Sequence, residues 1–298
     1  MVRIPDWDLW RSFIAVMEAG SLSGAARTLG IAQPTVGRHI EALEAALEGG
    51  PLFTRSPGGL RPTRVATALA PHARAMATAA DTLVRTASGD ADDVRGVVRL
   101  TASEIAAIEI LPPILTEFRE TWPQVDIELL ASNRLEDLLH RDVDIAMRMA
   151  RPTQDALFAR KVGVIKLGFY AHRSYLQKHG EPRSIEELRS HAIIGFDRIR
   201  PMGAALDKLG FEVTADVFGL RTDNEPAQIA MLRAAYGVGA CHPQIAARDP
   251  NLVAIMRGQF EIDMEVWVVM HEDLKADRRM RLLFDHLVAG LKAYIASA

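Results

Sequence analysis

The periodicity of this chain changes once, near residue 90, and that change limits what it can fold into. Up to Ser88 the apolar residues recur at helical spacing, interrupted by one short Gly/Pro-rich stretch. Gly89-Asp90-Ala91-Asp92-Asp93 reads as a linker, and beyond it short strand-like runs alternate with helical ones, the pattern of an α/β sheet. The 298 residues are roughly two domains' worth of chain. With 49% hydrophobic residues, such a chain needs no staples to bury a core.

The first 62 residues read as three helices and a ribbon. Trp7 to Ala19 carries a wide apolar stripe, stopped by Gly20-Ser21. A short helix follows from Leu22 to Leu29, punctuated by Gly30. Pro34 suits the first turn of a third helix, where its missing N–H costs nothing. That helix sets Val36, Ile40, Leu43 and Leu47 on one face. Two short runs around Ser56-Pro57-Gly58-Gly59 then predict a hairpin wing. Two short helices separated by a glycine turn form a helix-turn-helix, whose second helix meets base edges with its leading end. The outward residues there are Gln33, Pro34, Thr35, Arg38 and Ala42. Gln33 suits adenine, Arg38 guanine, and Thr35 offers a methyl or a hydroxyl. Arg55 and Arg61 on the wing would sit near phosphates, and Ser21 and Ser23 open the second helix beside them. A helical bundle with solvated faces is the bland alternative. Seven arginines against six acids in residues 1–65 give no strong basic signal.

From Thr63 to Ser88, the residues Val65, Leu69, His72, Met76, Ala80, Leu83 and Ala87 approximate a heptad, predicting a helix that pairs with a second copy. Packing on its own domain is the alternative, and Pro71 should kink it or break one backbone bond. Later segments read as strands at 97–102, 125–131, 143–149, 166–171, 193–196, 238–241 and 265–270. Helices are expected at 104–121, 135–140, 185–188, 225–235 and 278–296. They imply two α/β lobes joined by strands crossing near 164–166 and 263–265.

The residues from Phe13 through Ala73 resemble the winged helix-turn-helix of LysR-type transcriptional regulators. The residues that carry the likeness are Gly20-Ser21, Ala25-Ala26, Leu29, Gln33-Pro34, Leu43-Glu44, Leu52-Phe53-Thr54-Arg55 and Pro62-Thr63. Leu111-Pro112, Phe118, Trp122-Pro123 and Asp144-Ile145-Ala146 extend it toward the C-terminus. The chain departs from the pattern at Gly37, where the family usually has Ser, at Ala66, where it has Gly, and in a longer Glu48-Gly49-Gly50-Pro51 stretch. The resemblance implies a winged helix-turn-helix over 1–62, a dimerising linker helix over 63–89, and a two-lobed effector domain like a periplasmic binding protein over 90–298. The first lobe takes 97–165 and 266–298, the second 166–265. It further implies a dimeric or tetrameric regulator on a pseudo-palindromic duplex operator, with RNA polymerase as a further partner and a small-molecule effector in the cleft.

In open parallel sheets, ligands bind beyond the carboxyl ends of strands. Those ends here offer Ser103, Glu104, Asn133, Arg148, Phe196 and Asn224 as the expected effector cavity. The helix starting near Glu104 presents free N–H groups that favour an anion. Glu104 could instead cap that helix, pair with Arg148 or hold a cationic group. Arg148 could be an internal ion-pair residue or a ligand clamp.

Enzymatic readings find little. The single cysteine, Cys241, forms no internal disulfide, and no HExxH or GxxxxGKS occurs among the nine histidines and 21 glycines. No catalytic residue, metal or cofactor is expected. Asp6 and Asp8 sit where a signal peptide needs apolar residues, and no run approaches the ~18 apolar residues that span a bilayer. A cytoplasmic protein with no membrane partner is expected. A cleft enzyme with a helical head, or a scaffold that never touches DNA, are the rival readings.

Overall fold

The computed structural model describes residues 5–47, 49–56, 59–88, 94–133, 143–152, 157–197, 217–259 and 261–297. These residues form two compact units, one ending within the first 93 residues and one beginning at Val94. The expected helix over 135–140 lies outside the described residues.

The N-terminal unit contains α1 (Trp7–Ala19), α2 (Leu22–Leu29), α3 (Gln33–Leu47), β1 (Phe53–Ser56), β2 (Gly59–Pro62) and α4 (Arg64–Ser88). Gly20 ends α1 in the left-handed conformation, φ 62°, returning its N–H to the Val16 carbonyl. Ser21 then caps α2 by accepting from the Gly24 N–H at 3.1 Å. Phe13, Ala25, Val36, Leu43 and Leu52 are essentially inaccessible at the centre of this unit. Each large apolar side chain there stabilises the fold by about 1.5–3 kcal/mol. The wing is tied down by Phe53 against Phe13, ring centroids 5.8 Å apart, and by the Leu60 N–H on the Gly20 carbonyl at 2.9 Å. Gly59, φ 115°, makes that approach possible, since a Cβ there would lie 2.7 Å from the Gly20 oxygen.

Helix α4 combines both readings of its sequence. Ala66, Ala70 and Ala73 are buried against the N-terminal core, while Val65, Met76 and Leu83 are exposed.

Among the described residues the C-terminal unit has nine strands: β3 (Gly96–Ala102), β4 (Val125–Ala131), β5 (Ile145–Arg148), β6 (Leu157–His172), β7 (Ile193–Gly195), β8 (Phe218–Arg221), β9 (Val238–Cys241), β10 (Leu252–Ile255) and β11 (Ile262–His271). Their order is β4-β3-β5-β11-β6-β9-β7-β8, with β10 also on β6. Pairings β3·β4, β3·β5, β7·β8 and β7·β9 are parallel, as the alternating pattern predicts. β6 and β11 are antiparallel to each other and to their other partners, so the sheet is mixed. They are also longer than expected, sixteen and ten residues, because each runs from one lobe into the other. Val164 to Lys166 pairs with Glu265 to Asp263 at the crossing. β8, β10 and α6 (Arg173–His179) had no expectation; their sequences are too short or too broken by polar residues to show a period.

Among the described residues the remaining α-helices are α5 (Leu111–Thr121), α7 (Ile185–Leu188), α8 (Glu225–Arg233), α9 (Pro243–Ala246) and α10 (Arg278–Ala296). The chain turns helical at Glu104 and passes through a π-helical turn, Ala106–Ile110, before α5. Pro112 and Pro113 therefore sit at the start of α5 rather than interrupting a helix. One core, around Leu100, Phe118, Val268, Phe284 and Leu287, fills the first lobe. In the second lobe Ile105 reaches across to join Tyr170, Ile194, Ile229 and Leu232.

Candidate nucleic-acid interface and effector cleft

Helix α3 is seated by its inner face, where Val36, Ile40 and Leu43 are buried. Buried Ser12 on α1 and His39 on α3 share a hydrogen bond of 2.7 Å, a polar tie that the apolar pattern alone did not reveal. At the far end the Glu44 carboxylate accepts from the Leu52 N–H at 2.7 Å, fixing where the chain enters the wing. On the outer face Gln33, Pro34, Arg38 and Ala42 are exposed and Thr35 is half-buried. Arg38 reaches back to the Thr35 hydroxyl at 3.4 Å. Arg55 and Arg61 are both exposed but occupy opposite faces of the wing, since Arg55 pairs with Leu60 and Thr54 with Arg61. They are therefore not equivalent, which a linear reading could not show. The Ser21 hydroxyl, an acceptor toward Gly24, keeps its hydrogen to donate, and Ser23 is exposed.

Gly37 sits within this helix at half-buried depth, and a Cβ added there meets nothing nearer than Leu22 Cδ1 at 3.8 Å. Gly37→Ala should therefore stabilise the N-terminal unit by about 1 kcal/mol through helix propensity alone. A thermal melt checks this; a melting temperature unchanged or lowered would show that the glycine meets a backbone need.

In the C-terminal unit four of the six expected cleft residues are joined by hydrogen bonds or sequence. Ser103 and Glu104 follow β3, and the Glu104 N–H donates to Asn133 Oδ1 at 3.0 Å, just past β4. Asn224 belongs to the other lobe. Its Oδ1 caps α8 by accepting from the Ala227 N–H, and its Nδ2 donates to Glu104 Oε2 at 2.6 Å. Arg148, at the end of β5, is only 5% exposed and donates to the Met147 carbonyl at 3.0 Å and the Thr101 hydroxyl at 3.1 Å. Phe196 is half-buried just past β7.

At this helix start Asn133 takes the Glu104 N–H, so one of the N–H groups expected to face an anion is already satisfied within the protein. Glu225 was missed because its sequence context, Asn224-Glu225-Pro226, reads as an ordinary helix start. Burial, and secondarily the Glu104 charge, push its carboxyl up to about 7. Also unforeseen is Glu109, on the π-helical turn, whose carboxylate takes Arg233 at 2.8 Å and Arg248 at 3.3 Å. Cys241 and His242 are both buried, which holds the thiol up at about 12 and the imidazole down at about 4, so neither is poised for chemistry.

The model described as "Bacterial regulatory helix-turn-helix protein, lysR family" matches residues 7–67, and that described as "LysR substrate binding domain" matches residues 91–292. The chain belongs to the LysR family. This LysR-type regulator is 26% identical over 305 residues to a Klebsiella pneumoniae protein named "Probable HTH-type transcriptional regulator LtrA", covering 99% of this chain and 97% of that one. It is 28% identical over 188 residues to an HTH-type transcriptional regulator of Xanthomonas campestris pv. campestris, a match spanning 63% of this chain and about half, 54%, of that protein. Among solved structures, CrgA, a LysR-type transcriptional regulator from Neisseria meningitidis, superposes with a TM-score of 0.61 at 25% identity over 95% of this chain and 98% of that one. As a LysR-type regulator it pairs a DNA-binding helix-turn-helix with an effector-binding domain. Among the described residues no helix is long and apolar enough to cross a membrane.

Proposed function

We propose that this LysR-type regulator reads a pseudo-palindromic duplex operator in the cytoplasm and changes its transcriptional output when a small polar metabolite enters the cleft of its C-terminal unit. The observation that carries the first half is the α3 surface, where Gln33, Pro34 and Arg38 stand exposed above a fully buried Val36. Gln33, Pro34, Thr35 and Arg38 supply base contacts. Ser21, Ser23, Arg55 and Arg61 contact phosphates and set position without reading sequence. Two-fold pairing of α4 through its exposed seam presents two such helices to two half-sites, and association of C-terminal units yields the tetramer. RNA polymerase is the partner through which bound DNA is read out. The protein catalyses no reaction and carries no cofactor.

The cleft is bounded by Ser103, Glu104, Asn133, Arg148, Phe196 and Asn224, and the Glu104–Asn224 bond supports a site in which a bound molecule touches both lobes. Such a ligand shifts the lobe arrangement only by its difference in affinity for the alternatives. The test is DNA footprinting with the full chain upstream of neighbouring divergent genes, repeated with candidate metabolites and across salt. A protected site whose affinity falls steeply with salt supports this reading. Absence of any protected site at low salt contradicts it.

A further inference from the structure

Helix α3 is loosely held for an element that presents side chains to base edges. Its leading end has no side-chain cap, because Ala32, the residue before Gln33, carries no side-chain oxygen, whereas Ser21 caps α2. One turn in, Gly37 lowers helix propensity and sets no side chain against α2, where even an added Cβ would stay 3.8 Å from Leu22. Val36, Ile40 and Leu43 seat the helix by their burial. Apolar contact is non-directional, and the crossing angles that such packing produces scatter by about 15–20° between proteins.

Among the described residues two side-chain hydrogen bonds join α3 to other elements. Glu44, near the trailing end, accepts from the Leu52 N–H at 2.7 Å. His39, midway along, shares a 2.7 Å bond through Nδ1 with Ser12 of α1, a residue only 1% exposed. A hydroxyl both donates and accepts, so this bond forms with either tautomer of the ring. Gln33 precedes Glu44 by eleven positions, about 16 Å of helix. With Glu44 alone holding the helix, a tilt of about 10° would carry the leading end by ~3 Å, several times the range of distance over which a base hydrogen bond forms.

We infer that His39, held by Ser12, is the positioning residue of the recognition helix, an inference that rests on the base-contacting role proposed for α3. The Ser12–His39 bond fixes the leading half of α3, so that Gln33, Thr35 and Arg38 reach the base edges as a set. Arg38 acts at one base pair, whereas this bond acts on all those that α3 reads. Its loss costs little stability. His39 is half-buried and can turn to water, and a helical serine can bond the carbonyl one turn back.

The test is selection of duplexes from a randomised pool by the full chain, for the parent, Ser12→Ala, His39→Leu, His39→Asn and Arg38→Ala. Affinities are then measured for the duplex that the parent selects and for an unrelated duplex. Arg38→Ala should lose preference at one base pair of each half-site. Ser12→Ala and His39→Leu should each flatten preference at several base pairs of each half-site and bind the selected duplex about tenfold more weakly, the equivalent of one good base contact. Their affinity for the unrelated duplex should stay within about twofold of the parent, because phosphate contacts do not depend on that alignment. The double variant should lose no more than either single change, since one bond is removed in all three. His39→Asn, whose amide occupies the place of Nδ1, should restore most of the preference and affinity. Parent-like preferences in Ser12→Ala and His39→Leu overturn the inference. So do losses that add in the double variant, and equal losses on selected and unrelated duplexes, which report folding alone. Should His39→Leu not fold, Ser12→Ala, which trades a hydroxyl for a hydrogen, decides by itself. Parent-like Ser12→Ala beside a local loss in Arg38→Ala overturns the positioning role only, whereas parent-like Arg38→Ala overturns the reading of α3 as well.

Discussion

Arg148→Ala should lower the melting temperature of the C-terminal unit by roughly 6–12 °C, the shift expected of about 3 kcal/mol in a domain of this size. The guanidinium is buried at the end of β5, directly opposite Trp267 on β11, and bonds the Met147 carbonyl and the Thr101 hydroxyl. Thr101 is itself completely inaccessible, so truncation deprives it of a donor that water cannot readily replace, and leaves a space the size of a long side chain. Arg148→Met fills most of that space without the charge and should recover much of the stability. The pair of variants separates scaffold from ligand contact. If Arg148 clamps a carboxylate effector, both variants lose the metabolite response although the Met variant still melts near the parent. If Arg148 serves the fold alone, the Met variant responds normally. Differential scanning calorimetry with and without metabolite reads both quantities, and a melt of Arg148→Ala unchanged from the parent would remove the residue from any structural role.

The fragment 1–88 should be a dimer at micromolar concentration. Helix α4 uses Ala66, Ala70 and Ala73 to pack on its own unit and leaves Val65, Met76 and Leu83 exposed, Leu83 at 73%. A helix apolar on two faces with only one covered is expected to bury the other against a second copy. Leu83→Asp combined with Met76→Asp places charges in that seam and should make the fragment monomeric without disturbing the buried alanine face. Sedimentation equilibrium decides the matter. A monomeric parent fragment would leave the exposed seam unexplained and the two-fold operator without its geometric basis.

The N-terminal unit was legible in sequence nearly residue by residue, because its elements are local. Gly20 and Gly30 stop helices, Pro34 starts one, and the hairpin follows from turn chemistry. In the C-terminal unit the strands that alternate with helices were legible, whereas the lengths of β6 and β11 were not. Their outer halves change lobes and neighbours partway, so the burial pattern changes with them. The cleft was legible only as a set of strand ends. Ser103, Glu104, Asn133 and Asn224 follow from topology, but the Asn224–Glu104 bond and the bonds of Glu109 to Arg233 and Arg248 join residues more than a hundred positions apart, and no local pattern records them. The same holds for Ser12 and His39, whose bond joins two helices that each look apolar on the inside.

The central claim, that α3 reads base sequence, is tested most directly by measuring the affinity of Arg38→Ala and Arg55→Ala for the footprinted operator and for a set of single-base-pair variants of it. Arg38→Ala should cost about 1–3 kcal/mol on the parent operator and erase the preference at one base-pair position of each half-site. Arg55→Ala should weaken every duplex by about the same factor and reduce the salt slope by roughly one. Operator affinity and base preference in Arg38→Ala indistinguishable from the parent would contradict the assignment of α3 as the recognition helix.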